Sequence, residues 1–150
     1  VSPERLTPVV NTVRLEPFVF RAVPAAHETL ETDEAGNHKC IGLIIEVGDY
    51  KIYHSGDTLL YDGMIDLLKK WQIDVALLPI NGRDPKRGVA GNLSGEEAAQ
   101  LAKEIGVKLV VPCHYDMFEF NTDSPDAFIK TAKAIGQKYY VMQQGERLPL

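Results

Sequence analysis

The chain has 150 residues, a length that predicts one domain around a single hydrophobic core. With 45% hydrophobic and 25% charged residues, the composition is ordinary for a globular protein and excludes a disordered or fibrous one. The net charge of -5 argues against nucleic acid as a partner, because surfaces that bind nucleic acid are basic. Two cysteines provide no disulfide framework, and no apolar run approaches the ~18 residues of a membrane span. We therefore predict a protein of the reducing cytoplasm that does not enter membranes.

Strands dominate the first third of the chain after a mixed opening stretch. Residues 18–23 are typical of a strand, which Pro24 closes. The apolar run 40–47 predicts a strand covered on both faces, with Cys40 packed in the core. A tight turn at Gly48 returns the chain as a partner strand over 50–54, so this region predicts a hairpin.

Helices and strands alternate in the rest of the chain. Apolar residues at helical spacing predict a helix over 64–71, and residues 74–80 predict a buried strand. Ser94 and Glu97 form a capping box, which predicts a helix that runs to residue 105. Further elements are predicted as a strand at 108–112, a helix from 124 to about 136 and a strand at 139–142. The alternation after a hairpin predicts an α/β layered fold.

A side chain able to bind a metal ion follows three of the predicted strands. These side chains are His27, Asp57 and His114. Strand ends in α/β proteins deliver side chains to one crevice, where ligands bind. Imidazole and carboxylate groups suit zinc, manganese or iron, and a carboxylate can bridge two ions. Each residue also has an ordinary structural interpretation, as a loop histidine, a turn residue and a half-buried histidine, so the residue types alone leave both interpretations open.

The sequence around these three residues resembles the C-terminal half of the metallo-β-lactamase superfamily. The similar segments are Tyr-His-Ser-Gly-Asp-Thr at 53–58, Ile-Asp-Val-Ala-Leu-Leu-Pro at 73–79 and Val-Pro-Cys-His-Tyr-Asp at 111–116. The resemblance extends from about residue 18 to the C-terminus and is strongest to the L-ascorbate-6-phosphate lactonase group and related metal-dependent hydrolases. It implies that His27 binds one ion, Asp57 bridges two, and His114 binds the second.

One motif of that superfamily, His-x-His-x-Asp-His, is absent from the chain. In the superfamily it supplies most of the remaining ligands and lies in the N-terminal half of a four-layer αβ/βα sandwich. The resemblance therefore implies that residues 1–150 are a single domain forming half of that sandwich, completed by an N-terminal segment or a partner chain. Such a half would expose a large apolar sheet face, so we expect an oligomer or another extensive contact with a polypeptide.

The resemblance implies a metal-dependent hydrolase that opens a lactone or ester of a small substrate, phosphorylated or not. Two divalent ions, zinc or manganese with iron as the third candidate, would lower the pKa of a shared water and present hydroxide to a carbonyl carbon. Asp57 would be the catalytic residue that orients this hydroxide or passes its proton to the leaving alkoxide. A phosphodiesterase or nuclease on the same scaffold and a non-catalytic half-domain acting as a subunit are the alternatives.

The loop after the predicted strand at 74–80 contains the main candidates for substrate binding. Arg83 and Arg87 have the planar donor forks that bind an anionic group such as a sugar phosphate, although a solvated surface loop is the ordinary alternative. Asn92 is a candidate for the same patch. Tyr115, directly after His114, is a candidate pocket residue.

Three further sites near these candidates have mainly structural interpretations. His54 is expected to be packed or to be an outer partner of the bridging carboxylate. Cys113 is expected to pack in the core, because neighbouring strand residues point to opposite faces and it can hardly share an ion with its neighbour His114. The aromatic stretch 118–120 predicts a lid or a wall against another part of the protein.

Overall fold

The computed structural model describes residues 9–88 and 91–148, except the side chain of Arg87. Six strands and three α-helices make up this part of the chain. The strands are β1 (Thr12–Leu15), β2 (Phe18–Pro24), β3 (Ile41–Val47), β4 (Tyr50–His54), β5 (Val75–Pro79) and β6 (Leu109–Cys113). The helices are α1 (Met64–Lys69), α2 (Gly95–Glu104) and α3 (Asp126–Ile135), with a short 3-10 helix at Pro85–Arg87. The predicted α/β fold class is confirmed.

The six strands form one sheet in which spatial order follows chain order from β1 to β6. Pairing is antiparallel from β1 to β4 and parallel from β4 to β6. Two-residue turns join β1 to β2 and β3 to β4, and a longer loop over 25–40 joins β2 to β3, whereas α1 and α2 carry the chain back across the sheet before β5 and β6. Strands β2, β4, β5 and β6 therefore all run in one direction, and the residues that follow them meet at the same edge of the sheet.

The main hydrophobic core lies on one face of this sheet. Ile44, Tyr53 and Ala76 are register neighbours on β3, β4 and β5, and all three are fully buried. Each of the three helices adds buried side chains to the same cluster: Met64 and Leu68 from α1, Leu101 and Ala102 from α2, and Phe128 and Ala132 from α3. Among the described residues, no helix is both long enough and apolar enough to cross a membrane.

The opposite face of β2, β3 and β4 is also apolar but only partly covered. We call it the open face, and we define it by the side chains of Phe18, Phe20, Leu43, Ile45 and Ile52. The strand register places Phe20 beside Ile45 and Ile45 beside Ile52, and these side chains are half-buried. Phe18, at the edge, remains 40% exposed. The prediction that β3 is covered on both faces is therefore wrong within the described structure.

Three other local features of the structure differ from the sequence analysis. Residues 12–15 form β1, which the sequence did not predict. The predicted strand at 139–142 is reduced to one bridge between Val110 and Tyr139. Cys40 is exposed instead of packed in the core, because it precedes β3 and the strand begins only at Ile41.

Candidate metal centre

His27, Asp57 and His114 come together at the shared edge of the sheet. Nε2 of His27 lies 3.9 Å from Oδ2 of Asp57, and Nε2 of His114 lies 3.5 Å from Oδ1. The two imidazoles therefore face different oxygens of one carboxylate. The side chains are 38%, 45% and 22% exposed in chain order, so solvent and small solutes can reach the space between them.

The position of Asp57 is set by a tight turn after β4. Gly56 has a φ of 63°, and a Cβ at this position would lie 2.7 Å from the carbonyl oxygen of Ile41. The Gly56 N–H donates to Nδ1 of His54 at 3.0 Å, and the hydroxyl of the buried Ser55 donates to the Gly56 carbonyl at 2.7 Å. His54 is exposed and shapes this turn, a role that the sequence alone did not indicate.

His114 follows β6 in an unusual backbone conformation, with a φ of 59°. Left-handed backbone at a residue other than glycine costs about 1–3 kcal/mol and is concentrated at functional sites. Nδ1 of His114 is buried, and no described residue forms a hydrogen bond with it. Histidines that bind metals through one nitrogen normally donate the other N–H to an acceptor. The described residues provide no such acceptor for Nδ1 of His114.

The spacing and chemistry of these atoms fit divalent cations held between them. Two atoms that each lie about 2.1 Å from a tetrahedral ion are about 3.4 Å apart. The observed separations of 3.5 and 3.9 Å are near this value and exceed the range of about 2.7–3.2 Å for N–H···O hydrogen bonds. No three His, Cys, Asp or Glu side chains converge on a single cation position among the described residues. Within the described ranges, a cation beside either histidine would thus meet one nitrogen and one oxygen, fewer than the ligands that a closed site requires.

Cys113 lies beside this group but carries no charge at neutral pH. Burial, with a smaller contribution from the charge of Asp57, raises the pKa of the thiol to about 12. The sulfur is therefore a neutral packing group, in agreement with the interpretation that the sequence favoured.

Arg83 is engaged by a carboxylate of its own chain. Its two terminal nitrogens, Nη1 and Nη2, each donate to one oxygen of Glu97 at 2.7 Å. Glu97 also accepts from the Ser94 N–H at 2.9 Å, while the Ser94 side chain accepts from the Glu97 N–H, so the predicted capping box is present. An anionic substrate would have to displace Glu97 to use this fork, and a substrate role for Arg83 stays a prediction.

The other predicted substrate residues occupy different environments. The side chain of Arg87 lies outside the described part of the structure. Asn92 is only 2% exposed, and its Oδ1 has no hydrogen-bond partner among the described residues. The Tyr115 hydroxyl donates to the carbonyl of Met142 at 3.4 Å. Tyr115 and His114 line one surface groove of about 1000 Å³, and the substrate roles of all these residues stay predictions.

The groove beside His114 is lined by both apolar and polar residues. Its lining includes Met117, Phe118, Val141, Met142 and Gln143. Phe118 and Phe120, in the stretch that the sequence interpreted as a lid or wall, are largely exposed, and their rings lie 5.8 Å apart. The volume of the groove is sufficient for a small organic molecule, and His114 lies in its wall.

A sequence profile of the beta-lactamase superfamily domain matches residues 3–115. The chain belongs to this family. A UPF0173 metal-dependent hydrolase of the bacterium Thermus thermophilus is 32% identical over 140 residues, which cover 93% of this chain and 59% of that protein. The chain thus spans between 43% and 60% of the length of the curated relatives that it matches here.

Solved structures carry the same fold. Igni18, a metallo hydrolase of the archaeon Ignicoccus hospitalis, is 27% identical and superposes with a TM-score of 0.70, covering 93% of this chain and 57% of that one. CmlA, a diiron β-hydroxylase of Streptomyces venezuelae, is 12% identical with a TM-score of 0.61, covering 89% of this chain and 32% of that one. The second similarity concerns the fold alone, and the predicted metallo-β-lactamase type of fold is confirmed.

The pair of Arg83 and Glu97 predicts a loss of stability in acid. Hydrogen bonds from Arg83 hold the pKa of Glu97 below its ordinary value of 4.5, although burial opposes the shift. A depressed folded-state pKa adds stability above pH 4.5, which is lost as the pH falls through the folded value. We expect the free energy of unfolding in urea to decrease from pH 4.5 downward, with a smaller decrease in Glu97→Gln. Glu96→Gln is the control, because Glu96 is an exposed neighbour. If Glu96→Gln reduces the loss of unfolding free energy in acid as much as Glu97→Gln does, the loss does not come from Glu97.

Proposed function

We propose that this chain supplies one half of the active centre of a metal-dependent hydrolase. The observation that carries the proposal is the convergence of His27, Asp57 and His114, with two imidazole nitrogens facing separate oxygens of one carboxylate. The name of the Thermus relative supports the same reaction class.

In this proposal the three side chains divide the binding of two ions. His27 and Asp57 would hold one ion, and His114 and Asp57 would hold the other. When bound, a pair of divalent cations, zinc, manganese or iron, supplies Lewis acidity and lowers the pKa of an attached water towards neutrality. The Asp57 carboxylate orients the attacking water, accepts its proton and delivers that proton to the departing alkoxide.

We further propose a lactone or an ester of a small molecule as the substrate. The groove beside His114 supports this proposal, because it adjoins the carboxylate edge and offers apolar side chains to the part of the molecule that does not react. Tyr115 would contact the substrate from the wall of the groove. Arg83, Arg87 and Asn92 would serve a phosphorylated substrate, with Arg83 exchanging Glu97 for the phosphate.

The remaining ligands would come from the N-terminal half of the same fold, in the same polypeptide or in a partner chain. Two observations support this: among the described residues, each ion would meet only one imidazole and the shared Asp57 carboxylate, and the open face of β2–β4 is apolar. Covering that face would stabilise the assembly by roughly 25 cal/mol per Å² of apolar surface removed from water. A monodisperse monomer of these 150 residues in solution would contradict this part of the proposal.

The exposed free thiol of Cys40 supports the reducing cytoplasm as the compartment.

The test uses the complete protein, stripped of metal with a chelator and reloaded with zinc, manganese or iron separately. We expect it to hydrolyse a sugar lactone or a simple ester, to lose that activity with the metal and to regain it on reloading. A bis-aryl phosphodiester is the comparison substrate, because the same pair of cations can serve displacement at phosphorus. Turnover of the diester alone would identify a phosphodiesterase, and metal binding without turnover of either compound would favour a non-catalytic subunit.

A further inference from the structure

We infer that Thr58 is a positioning residue that sets the metal affinity of the His27 side of the centre. Its hydroxyl joins the loop that carries His27 to the turn that carries Asp57. This inference rests on the proposed function, because it assumes that both side chains hold a cation. It assigns to Thr58 a role that acts through His27 and does not involve contact with substrate.

The geometry around Thr58 is a clamp between two loops. Thr58 is fully buried, and its Oγ1 accepts a hydrogen bond from the Ala26 N–H at 2.9 Å while donating to the Leu59 carbonyl at 2.8 Å. The Leu59 N–H in turn donates to the Ala26 carbonyl at 2.8 Å. Both backbone polar groups of Ala26 are thus bound by the two residues that follow Asp57. Because Ala26 immediately precedes His27, the clamp sets the distance between the imidazole and the carboxylate.

The His27 side has few other supports. Residues 27–36 are exposed, and Glu28 has a φ of 99°, a left-handed value that residues other than glycine rarely adopt. Within the described ranges, the one charged side chain that approaches the His27 imidazole is that of Asp57, at 3.9 Å. The orientation of this histidine therefore depends on the backbone at Ala26.

The end of β2 is held by separate contacts upstream of the clamp. The Tyr61 hydroxyl donates to the Pro24 carbonyl at 2.9 Å, and the Ala25 N–H donates to the Cys40 carbonyl at 3.1 Å. These contacts do not involve the Thr58 hydroxyl. Its loss should therefore leave β2 in the sheet while it releases Ala26 and His27.

The His114 side does not depend on the Thr58 side chain. His114 is delivered by β6, and the contact of Thr58 with the following loop is made by its backbone carbonyl, which accepts from the Leu93 N–H at 2.9 Å. Removal of the hydroxyl should therefore affect the two ions unequally. A general structural role of Thr58 would weaken both sites together.

The experiment measures the affinities of both ions in the complete, metal-free protein by competition with a chromophoric zinc chelator. Thr58→Val keeps the size of the side chain but removes both hydrogen bonds. It should lower the affinity for one of the two zinc ions by about 10–100-fold, the usual effect of losing an outer-shell partner. The affinity for the other zinc ion should stay within about threefold of wild type. Thr58→Ser, which restores the hydroxyl, should recover the lost affinity. Tyr61→Phe loosens the end of β2 without touching the clamp and should change neither affinity.

A double-mutant cycle with His27→Ala decides whether Thr58 acts through His27. In that background Thr58→Val should cause no further loss of zinc affinity. The inference is overturned if Thr58→Val lowers the affinity for both ions equally or for neither. It is also overturned if Thr58→Val lowers zinc affinity as much without His27 as with it. If Thr58→Val does not fold, Thr58→Cys, with its weaker hydrogen bonds, should show a smaller loss at the same ion, and no loss there would overturn the inference. A wild-type protein that binds no zinc overturns the proposed function as well, whereas two wild-type sites that Thr58→Val leaves unchanged overturn the inference alone.

Discussion

Replacement of Asp57 by asparagine in the complete protein is expected to reduce hydrolysis by more than about 100-fold, beyond the usual loss for a partner that only supports a ligand. The side chain faces His27 with Oδ2 and His114 with Oδ1, so both ions should depend on it. An amide retains one oxygen but has no negative charge and offers an NH₂ group on the other side, which cannot bind a cation. Both ions should therefore be lost from the purified variant.

The measurement is metal content by plasma emission, in parallel with the rate of hydrolysis. Asp62→Asn is a matched control, because Asp62 is an exposed aspartate five residues further along the chain. It removes the same charge away from the histidines and should change neither metal content nor rate. A variant of Asp57 that retains both ions would exclude the bridging role and remove the main support of the proposed function.

Replacement of Gly56 by alanine should destabilise the protein by about 2–4 kcal/mol, the sum of left-handed strain and a steric overlap. The φ of 63° disfavours any residue with a Cβ, and the new Cβ would meet the Ile41 carbonyl at 2.7 Å. This oxygen belongs to the backbone at the start of β3 and cannot move away as a flexible side chain would. The turn should therefore shift, and the Asp57 carboxylate should shift with it.

Gly136→Ala separates the cost of left-handed backbone strain from the cost of steric overlap. Gly136 has a φ of 64°, almost the same as that of Gly56, but apart from its own chain neighbours no described heavy atom lies within 4 Å of the position of its Cβ. Urea denaturation should show a loss of about 1 kcal/mol for Gly136→Ala, the left-handed strain alone. Zinc affinity should fall in Gly56→Ala and remain unchanged in Gly136→Ala. Equal destabilisation of the two variants would mean that the approach to Ile41 has no energetic effect.

Local signals in the sequence predicted much of the fold. The capping box of Ser94 and Glu97 marked the start of α2, and Gly48 marked the turn between β3 and β4, because both features depend on residues close in sequence. The strand β1 was missed, since the alternation of polar and apolar residues over only four positions is too short to predict a strand. The predicted strand at 139–142 failed because its pairing is limited to contacts around Val110, and such long-range pairing is not encoded locally.

The candidate site was found from strand ends and from the family resemblance, but its supporting contacts were not. The pairing of Arg83 with Glu97 joins residues 14 positions apart, and the bond from Ala26 to Thr58 joins residues 32 apart. Neither contact can be recognised in the sequence from its periodicity or its composition. The exposure of Cys40 could likewise not be predicted, because a run of apolar residues in the sequence does not show at which residue the strand begins. Residue types therefore predicted the chemistry, whereas the geometry that tunes it required the structure.

The agreement between chain order and spatial order has a consequence for the sequence of events during biosynthesis. His27 follows β2 and Asp57 follows β4, so both are carried by the first four strands, which pair with their neighbours in the chain and can assemble before the rest of the sheet. His114 arrives only with the last strand, after two helical crossovers. In the proposed centre, the pair of His27 and Asp57 would therefore be in place before His114, which is added only with β6.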